Sequence, residues 1–260
     1  MTAFETMQRR PFVSLAAVSA VVLAWAVVGE RKVIDPLLLP GPLDVLDTAK
    51  SLLEEGYRNV ALWQHVLVSI ARAMAGFIAA TLTGVPLGLL MGRSRTLNAV
   101  IDPFVQFLRP LPKLALIPLV VVWFGIGEFS KFLLIYLATF LSVVVSAAAA
   151  VSNVPDDRIR AAHALGVTRS QLFRHVILPS ALPELFTGVR VAVGIGWTTL
   201  IAAEMIASTS GLGWLVINAS SYLRTDVVML GILLLGGLGY LLDLALVLAQ
   251  RRMVHWSGKS

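Results

Sequence analysis

The sequence predicts an all-α polytopic membrane protein with about six transmembrane helices, and three observations predict it. Hydrophobic residues make up 57% of the 260-residue chain and charged residues only 14%, against about 25% charged in a soluble domain, so a water-facing surface cannot be covered. The apolar residues gather into runs near the roughly 20 residues of helix that a bilayer core requires. The basic residues, 21 Lys+Arg against 15 Asp+Glu, mostly flank those runs instead of forming tracts. The absence of cysteine further excludes a disulfide scaffold, a thiolate metal site and a cysteine nucleophile.

The spans are predicted at Phe12–Val28, Val66–Leu90, Ile101–Phe124, Phe132–Val151, Leu185–Ala207 and Val227–Ala249. Arg9 and Arg10 precede the first, Arg93 and Arg95 follow the second, Arg158, Arg160, Arg169 and Arg174 lie between the fourth and fifth, and Arg251, Arg252 and Lys259 follow the sixth. The positive-inside rule places all these segments in the cytosol, and with them both termini. The opposite loops carry Glu30, Asp35, Asp44, Asp47, Glu54 and Glu55 with few basic residues, which agrees. The first span also has the make-up of a cleavable signal, with Ala24-Trp25-Ala26 as a small-residue site. An uncleaved span is expected, because removal would leave five.

After the first span, Val33–Tyr57 holds Pro36, Pro40, Gly41 and Pro42. A stripe of Leu43, Leu46, Leu52 and Leu53 follows, with acids opposite, which predicts a short helix at the membrane surface. The second span carries Gly84, Gly88 and Gly92, and the fifth Gly188, Gly194 and Gly196; small residues let helix backbones approach closely, so these read as packing contacts. The third span contains Pro103, Pro110, Pro112 and Pro118 with Arg109 and Lys113. Proline removes a backbone donor and clashes with the preceding turn, so this span is kinked or broken. Such a break is either a plain elbow or part of a pathway lining.

The longest polar stretch between spans, Val151–Pro183, is too organised for a connector. Asp156 or Asp157 is placed to cap a helix after Pro155, with Ile159, Ala162 and Leu165 as its apolar face and Gly166 as its stop. Thr168 caps a second helix with Gln171 completing a capping box; Leu172, Phe173, Val176 and Ile177 form its stripe, and Pro179 is expected to end it. Two short helices at a glycine corner suit either docking into a groove on another protein or resting on lipid headgroups.

This stretch resembles the "EAA" loop of the permeases of binding-protein-dependent ABC importers, whose signature is Glu-Ala-Ala, three residues, Gly, nine residues, Ile, one residue, Leu-Pro. Ala161, Ala162, Gly166, Leu178 and Pro179 match it in spacing, while Arg160 replaces the glutamate and Val176 the isoleucine. Further runs are similar to the sulfonate, nitrate and taurine permeases: Arg109–Pro112, Pro118–Gly127, Ser130-Lys131, Leu182–Gly188, Gly196-Trp197 and Ala203-Glu204. Arg158–Ala162, Leu62–His65 and Thr225–Val228 most resemble the taurine permeases among them.

The resemblance implies a type I ABC importer permease fold, with residues 1–260 forming a single transmembrane permease domain and residues 155–180 its coupling loop. It implies a homodimer, formed with a second copy of the chain, bound to two cytosolic ATP-binding subunits and served by a periplasmic substrate-binding protein in a bacterial inner membrane. Taurine or a related aliphatic sulfonate would move inward by alternating access, with nitrate or another small solute as the alternative cargo. The coupling residues it points to are Arg160, Ala161, Ala162, Leu165, Gly166, Leu178 and Pro179. No cofactor, nucleic acid or enzymatic activity of its own is expected for the chain.

The residues themselves agree with a non-catalytic role. Gly258-Lys259-Ser260 is not a phosphate loop, since a glycine at Met253 and a following helix are both missing, so ATP and Mg are expected on a partner. His65, His163, His175 and His255 have no metal-ligand spacing. A zwitterionic sulfonate needs donors for its oxygens and an acceptor or aromatic face for its ammonium. Candidate pathway residues are Gln106, Arg109, Tyr136, Thr139, Trp197, Thr198, Thr199 and Glu204. Each also has a plain structural reading: Glu204 as a helix-end group, Arg109 bracing the elbow, Trp197 packing beside Gly194 and Gly196. Of the remaining intramembrane charges, Arg72 is expected to snorkel, and Asp243 to pair inside the protein near Arg251. A self-contained secondary transporter would predict paired half-repeats and several midplane charges and would leave the Ala161–Pro179 corner unexplained, and a membrane enzyme would need His, Asp or Glu clustered near one face, where none clusters.

Overall fold

The computed structural model describes residues 3–255. In chain order the helices are α1 (Ala3–Glu30), α2 (Pro42–Glu54), α3 (Leu62–Arg93), α4 (Arg95–Leu108), α5 (Leu116–Phe124), α6 (Glu128–Ser152), α7 (Asp156–Ala164), α8 (Arg169–Leu172), α9 (Leu178–Ala207), α10 (Leu212–Ser221) and α11 (Thr225–Met253). A 3-10 turn at Lys113–Ala115 precedes α5, and a π turn at Phe173–Ile177 joins α8 to α9. Among the described residues, four helices are long and apolar enough to cross a membrane: α3, α6, the 39-residue run Arg169–Ala207, and α11. The bent pair Arg95–Leu108 and Lys113–Phe124, which turn by 74°, makes a fifth if counted as one span. These correspond to five of the expected spans. The side chains of Arg9, Arg10 and Phe12, at the head of the first expected span, lie outside the described ones, as do Gly258, Lys259 and Ser260; the apolar part of α1 that is described runs from Leu15 to Glu30.

The chain divides into two compact units, Met1–His65 with Leu215–Leu234, and Val66–Trp214 with Leu235–Ser260. In the first unit, Pro42 occupies the first turn of α2, and the Asp44 carboxylate closes a capping box on the Gly41 N–H at 2.9 Å. The face of α2 differs from the expected stripe. Val45, Thr48 and Leu52 are buried, while Leu43, Leu46 and Leu53 point outward, so three of the four leucines of the expected stripe face away from the packing side and Leu52 alone of them holds the helix, with Val45 and Thr48. Thr48 Oγ1 donates to Asp226 (2.9 Å), and the Tyr57 hydroxyl donates to Asn218 Oδ1 (3.0 Å). Burial pushes the Tyr57 phenol above its ordinary pKa.

The second unit is organised around α6, whose Ile135, Ala138, Val143, Val144 and Ala147 are fully buried. It meets α3 along the glycines expected to be packing contacts. A Cβ on Gly88 would lie 2.5 Å from the Val144 carbonyl oxygen, and one on Gly92 2.6 Å from Val151 Cβ. Four-residue spacing puts Gly84, Gly88 and Gly92 on one face, so the backbones of α3 and α6 touch where any side chain would hold them apart. Gly88→Leu is expected to cost about 1–3 kcal/mol through overpacking, read as a lowered melting temperature of the detergent-purified chain.

The proline-rich third span is broken, as its composition predicts. Ser94 Oγ caps α4 by accepting from the Leu97 N–H (3.2 Å), and Val105 packs with Met91 and Val144 to seat α4 on α3 and α6. Pro110 and Pro112 then stop the helix at Leu108, and the chain restarts at Lys113.

Candidate functional site

The corner between the fourth and fifth spans forms as two helices meeting at glycine. α7 begins at Asp156 with Pro155 in the cap position, so neither Asp156 nor Asp157 caps it. This corrects the expected cap: both acids lie inside the first turn, where they interact favourably with the helix dipole, and Asp157 also pairs with Arg160 at 2.5 Å. Gly166 has φ +74, a left-handed conformation that a Cβ disfavours. Thr168 and Gln171 form the expected capping box.

The base of the corner is packed. Ala162 and Leu172 are buried, and Ile159 joins a cluster with Ala147, Val154, Ala181 and Leu185 from α6 and α9. The tip is open: Leu165 is 83% exposed, and Arg160, Ala161 and Gly166 are exposed too. Leu165 therefore departs from the apolar face assigned to it with Ile159 and Ala162.

Leu178 and Pro179 are half-buried at the start of α9. Pro179 does not end a helix, contrary to expectation. The π turn at Phe173–Ile177 carries the backbone through it, because the wider i→i+5 turn accommodates a residue that cannot donate.

The intramembrane candidates are dispersed. Gln106 on α4 donates to Asp102 Oδ1 (3.3 Å), and exposed Arg109 presents its carbonyl to Lys113 Nζ (3.3 Å). Tyr136 lies in an aromatic ladder on α6, stacked 5.9 Å from Phe132 and 5.3 Å from Phe140, with its hydroxyl 3.2 Å from Thr83 Oγ1. Thr139 is fully buried beside Gly196 and Phe77. Trp197 packs on Gly239, whose added Cβ would lie 3.0 Å from Nε1. Thr198 and Thr199 both donate to the Ile195 carbonyl, and only Thr198 is exposed.

Glu204 is completely buried at the far end of α9 from the corner, inside a network that the sequence did not reveal. Its carboxylate accepts from Ser69 Oγ (2.8 Å to each oxygen), Arg72 Nη1 (2.9 Å) and the Gly213 N–H (2.9 Å). Arg72, 7% exposed, also holds Glu128 in a two-pronged contact (2.6 Å each) and donates to the Ser210 carbonyl (2.8 Å). Lys131 reaches Glu128 at 3.0 Å, and the Leu212 N–H donates to Ser69 Oγ (2.9 Å). Two cations face two carboxylates, and Glu204 also accepts from the N-terminal turn of α10. Gly211, at φ +111, would drive a Cβ into the Glu204 carboxylate. Arg72 thus does not snorkel; burial next to two acids wins over exposure of its head group.

Asp243 is paired inside the protein as expected, but with a different partner. Arg190 Nε and Nη2 each donate to one of its oxygens at 2.8 Å. Arg190 lies on α9 within an apolar run, with no local pattern to single it out.

A family model described as "Binding-protein-dependent transport system inner membrane component" matches residues 84–255. Among curated proteins the chain is similar to the taurine transport system permease protein TauC of Escherichia coli, 44% identical over 97% of this chain and 92% of that one. It is also similar to the putative aliphatic sulfonates transport permease protein SsuC of the same organism, 38% identical over 91% of this chain and 89% of that one. Among solved structures, an inward-facing conformation of the MetNI methionine ABC transporter superposes with TM-score 0.61 at 22% identity, over 75% of this chain and 96% of that one.

Proposed function

The chain belongs to the family of binding-protein-dependent transport system inner membrane components, in its sulfonate and taurine permease branch, and on that premise we propose that it carries taurine or a related aliphatic sulfonate inward in an ATP-driven importer. In this reading two copies pair, two ATP-binding subunits dock on the cytoplasmic side, and a periplasmic binding protein delivers the solute. Both termini face the cytosol, as the basic residues around the spans require.

The observation that carries the proposal is the corner at Ala161–Gly166. Its base is built into the α6–α9 core through Ile159, Ala162 and Leu172, and its tip presents Leu165 to the outside. Seated in a groove on an ATPase, a knob so rooted transmits movement to the spans as a rigid body, and the spans then alternate access. Arg160 stands where the family signature has glutamate; its guanidinium is taken up by Asp157 within the same turn, and docking rests on Leu165 and on the backbone around Gly166.

Proteoliposomes holding the permease with its ATPase and binding protein are expected to accumulate taurine only when ATP is supplied. Uptake persisting without ATP, or a purified permease that recruits no ATPase, would sink the reading.

A further inference from the structure

The Arg190–Asp243 pair sits within the apolar lengths of its two helices. Within the expected spans Arg190 lies five residues past Leu185 and Asp243 six residues before Ala249, about 8–9 Å of helix from the span ends in a hydrocarbon core about 30 Å thick. Yet the two side chains are 32% and 47% exposed. Ionised groups at such depth face a protein interior or a water-filled cavity, so this face of the chain is covered by one or the other.

The surroundings favour water. One turn along α9 from Arg190, Gly194 is exposed, and a Cβ added there meets nothing within 4 Å; the same holds for Gly236, two turns before Asp243 on α11. Thr187 and Thr198 are exposed on the same side of α9, their hydroxyls turned back to the helix carbonyls of Pro183 and Ile195. An open strip of glycine and threonine beside a charged pair, flanked by the exposed Val191 and Tyr240, leaves room for a solute.

We infer that Arg190 and Asp243 form a solute-recognition site on the transport pathway, with Arg190 receiving the sulfonate and Asp243 the ammonium of a short zwitterion. The guanidinium fork suits the oxygens of a sulfonate. An arginine and an aspartate held side by side present opposite charges a few ångströms apart, as a two-carbon amino sulfonate does. The unloaded site is kept neutral by its own bidentate pair, which a zwitterion opens without leaving either charge unmatched. This assignment of the solute rests on the importer reading above.

The chain contains no cysteine, so single cysteines in the assembled complex give an unambiguous test. Gly194→Cys and Thr198→Cys are expected to react with 2-sulfonatoethyl methanethiosulfonate at least tenfold faster than Leu82→Cys, an exposed position on the apolar face of α3. Adding Arg190→Gln to Gly194→Cys is expected to slow the sulfonatoethyl reagent at least fivefold without slowing the 2-aminoethyl reagent, and adding Asp243→Asn to do the opposite. Rates at 194 and 198 equal to that at 82 would mean lipid or a second copy covers the strip and would overturn the inference. Fast labelling indifferent to both charge changes would overturn it as well, leaving the pair a brace between helices. Should the labelling pattern hold while the wild-type complex shows no ATP-driven uptake, the importer reading fails and the charged, water-lined site stands.

Discussion

Replacing Arg72 by alanine is expected to destabilise the protein by about 3–5 kcal/mol, because it leaves Glu204 buried without its cation. Glu204 is fully buried and Arg72 is nearly so, so water cannot step in for the lost partner. Glu128, whose side chain is 67% exposed, can hydrate instead, and the loss falls on the Glu204 side. In a chain of this size such a deficit corresponds to a fall in melting temperature on the order of 10 °C, measurable on the detergent-purified permease. Arg72→Lys is expected to recover only part of it, since an ammonium cannot reproduce the planar fork that holds Glu128 while also donating to Glu204 and Ser210. Glu128→Gln should be mild by comparison. If Arg72→Ala melts with the wild type, the network is not what secures the junction of α3, α9 and α10.

Gly166→Val is expected to abolish ATP-driven uptake by at least tenfold while leaving thermal stability close to that of the wild type. A β-branched residue at φ +74 is strained by roughly 1–2 kcal/mol, yet a Cβ at this site meets no neighbour within 4 Å. The strain is therefore relieved by re-angling the corner and not by unfolding the spans. ATP hydrolysis by the complex, measured beside uptake, separates uncoupling from loss of assembly. Full uptake in this variant would remove the corner from the mechanism.

The two sites were unequally legible in the sequence. Hydropathy and prolines located the spans and the broken third crossing because both are local properties: an apolar run of sufficient length, and a residue without a donor. The corner was legible for the same reason, since Thr168 with Gln171 and the glycine at 166 act within a few residues of one another. Arg72, Glu128 and Glu204 were not, because they meet across 56 and 132 residues of chain; without the packing of α3 on α6 and α9, Arg72 reads as a charge near a helix end. Arg190 gave no signal, and Asp243 was assigned to the nearest cation in the sequence instead of the one across the helix interface. Pro179 misled in the other direction, since a rule that holds for α-helices was applied where the backbone had widened.

That widened turn has a mechanical meaning. From Arg169 to Ala207 the second helix of the corner and the fifth span are one uninterrupted run of 39 residues, so beyond the turn at Gly166–Thr168 no further joint stands between the corner and Arg190 or Thr198. The π turn at Phe173–Ile177 holds one residue more than an α-helical turn would, and each residue of an α-helix is worth about 100° of rotation. In the proposed importer it would act as a spline on a shaft, setting the angle at which the corner is mounted relative to the glycine and threonine strip. A family member with one residue fewer there would carry the same corner turned more than a quarter of a revolution away.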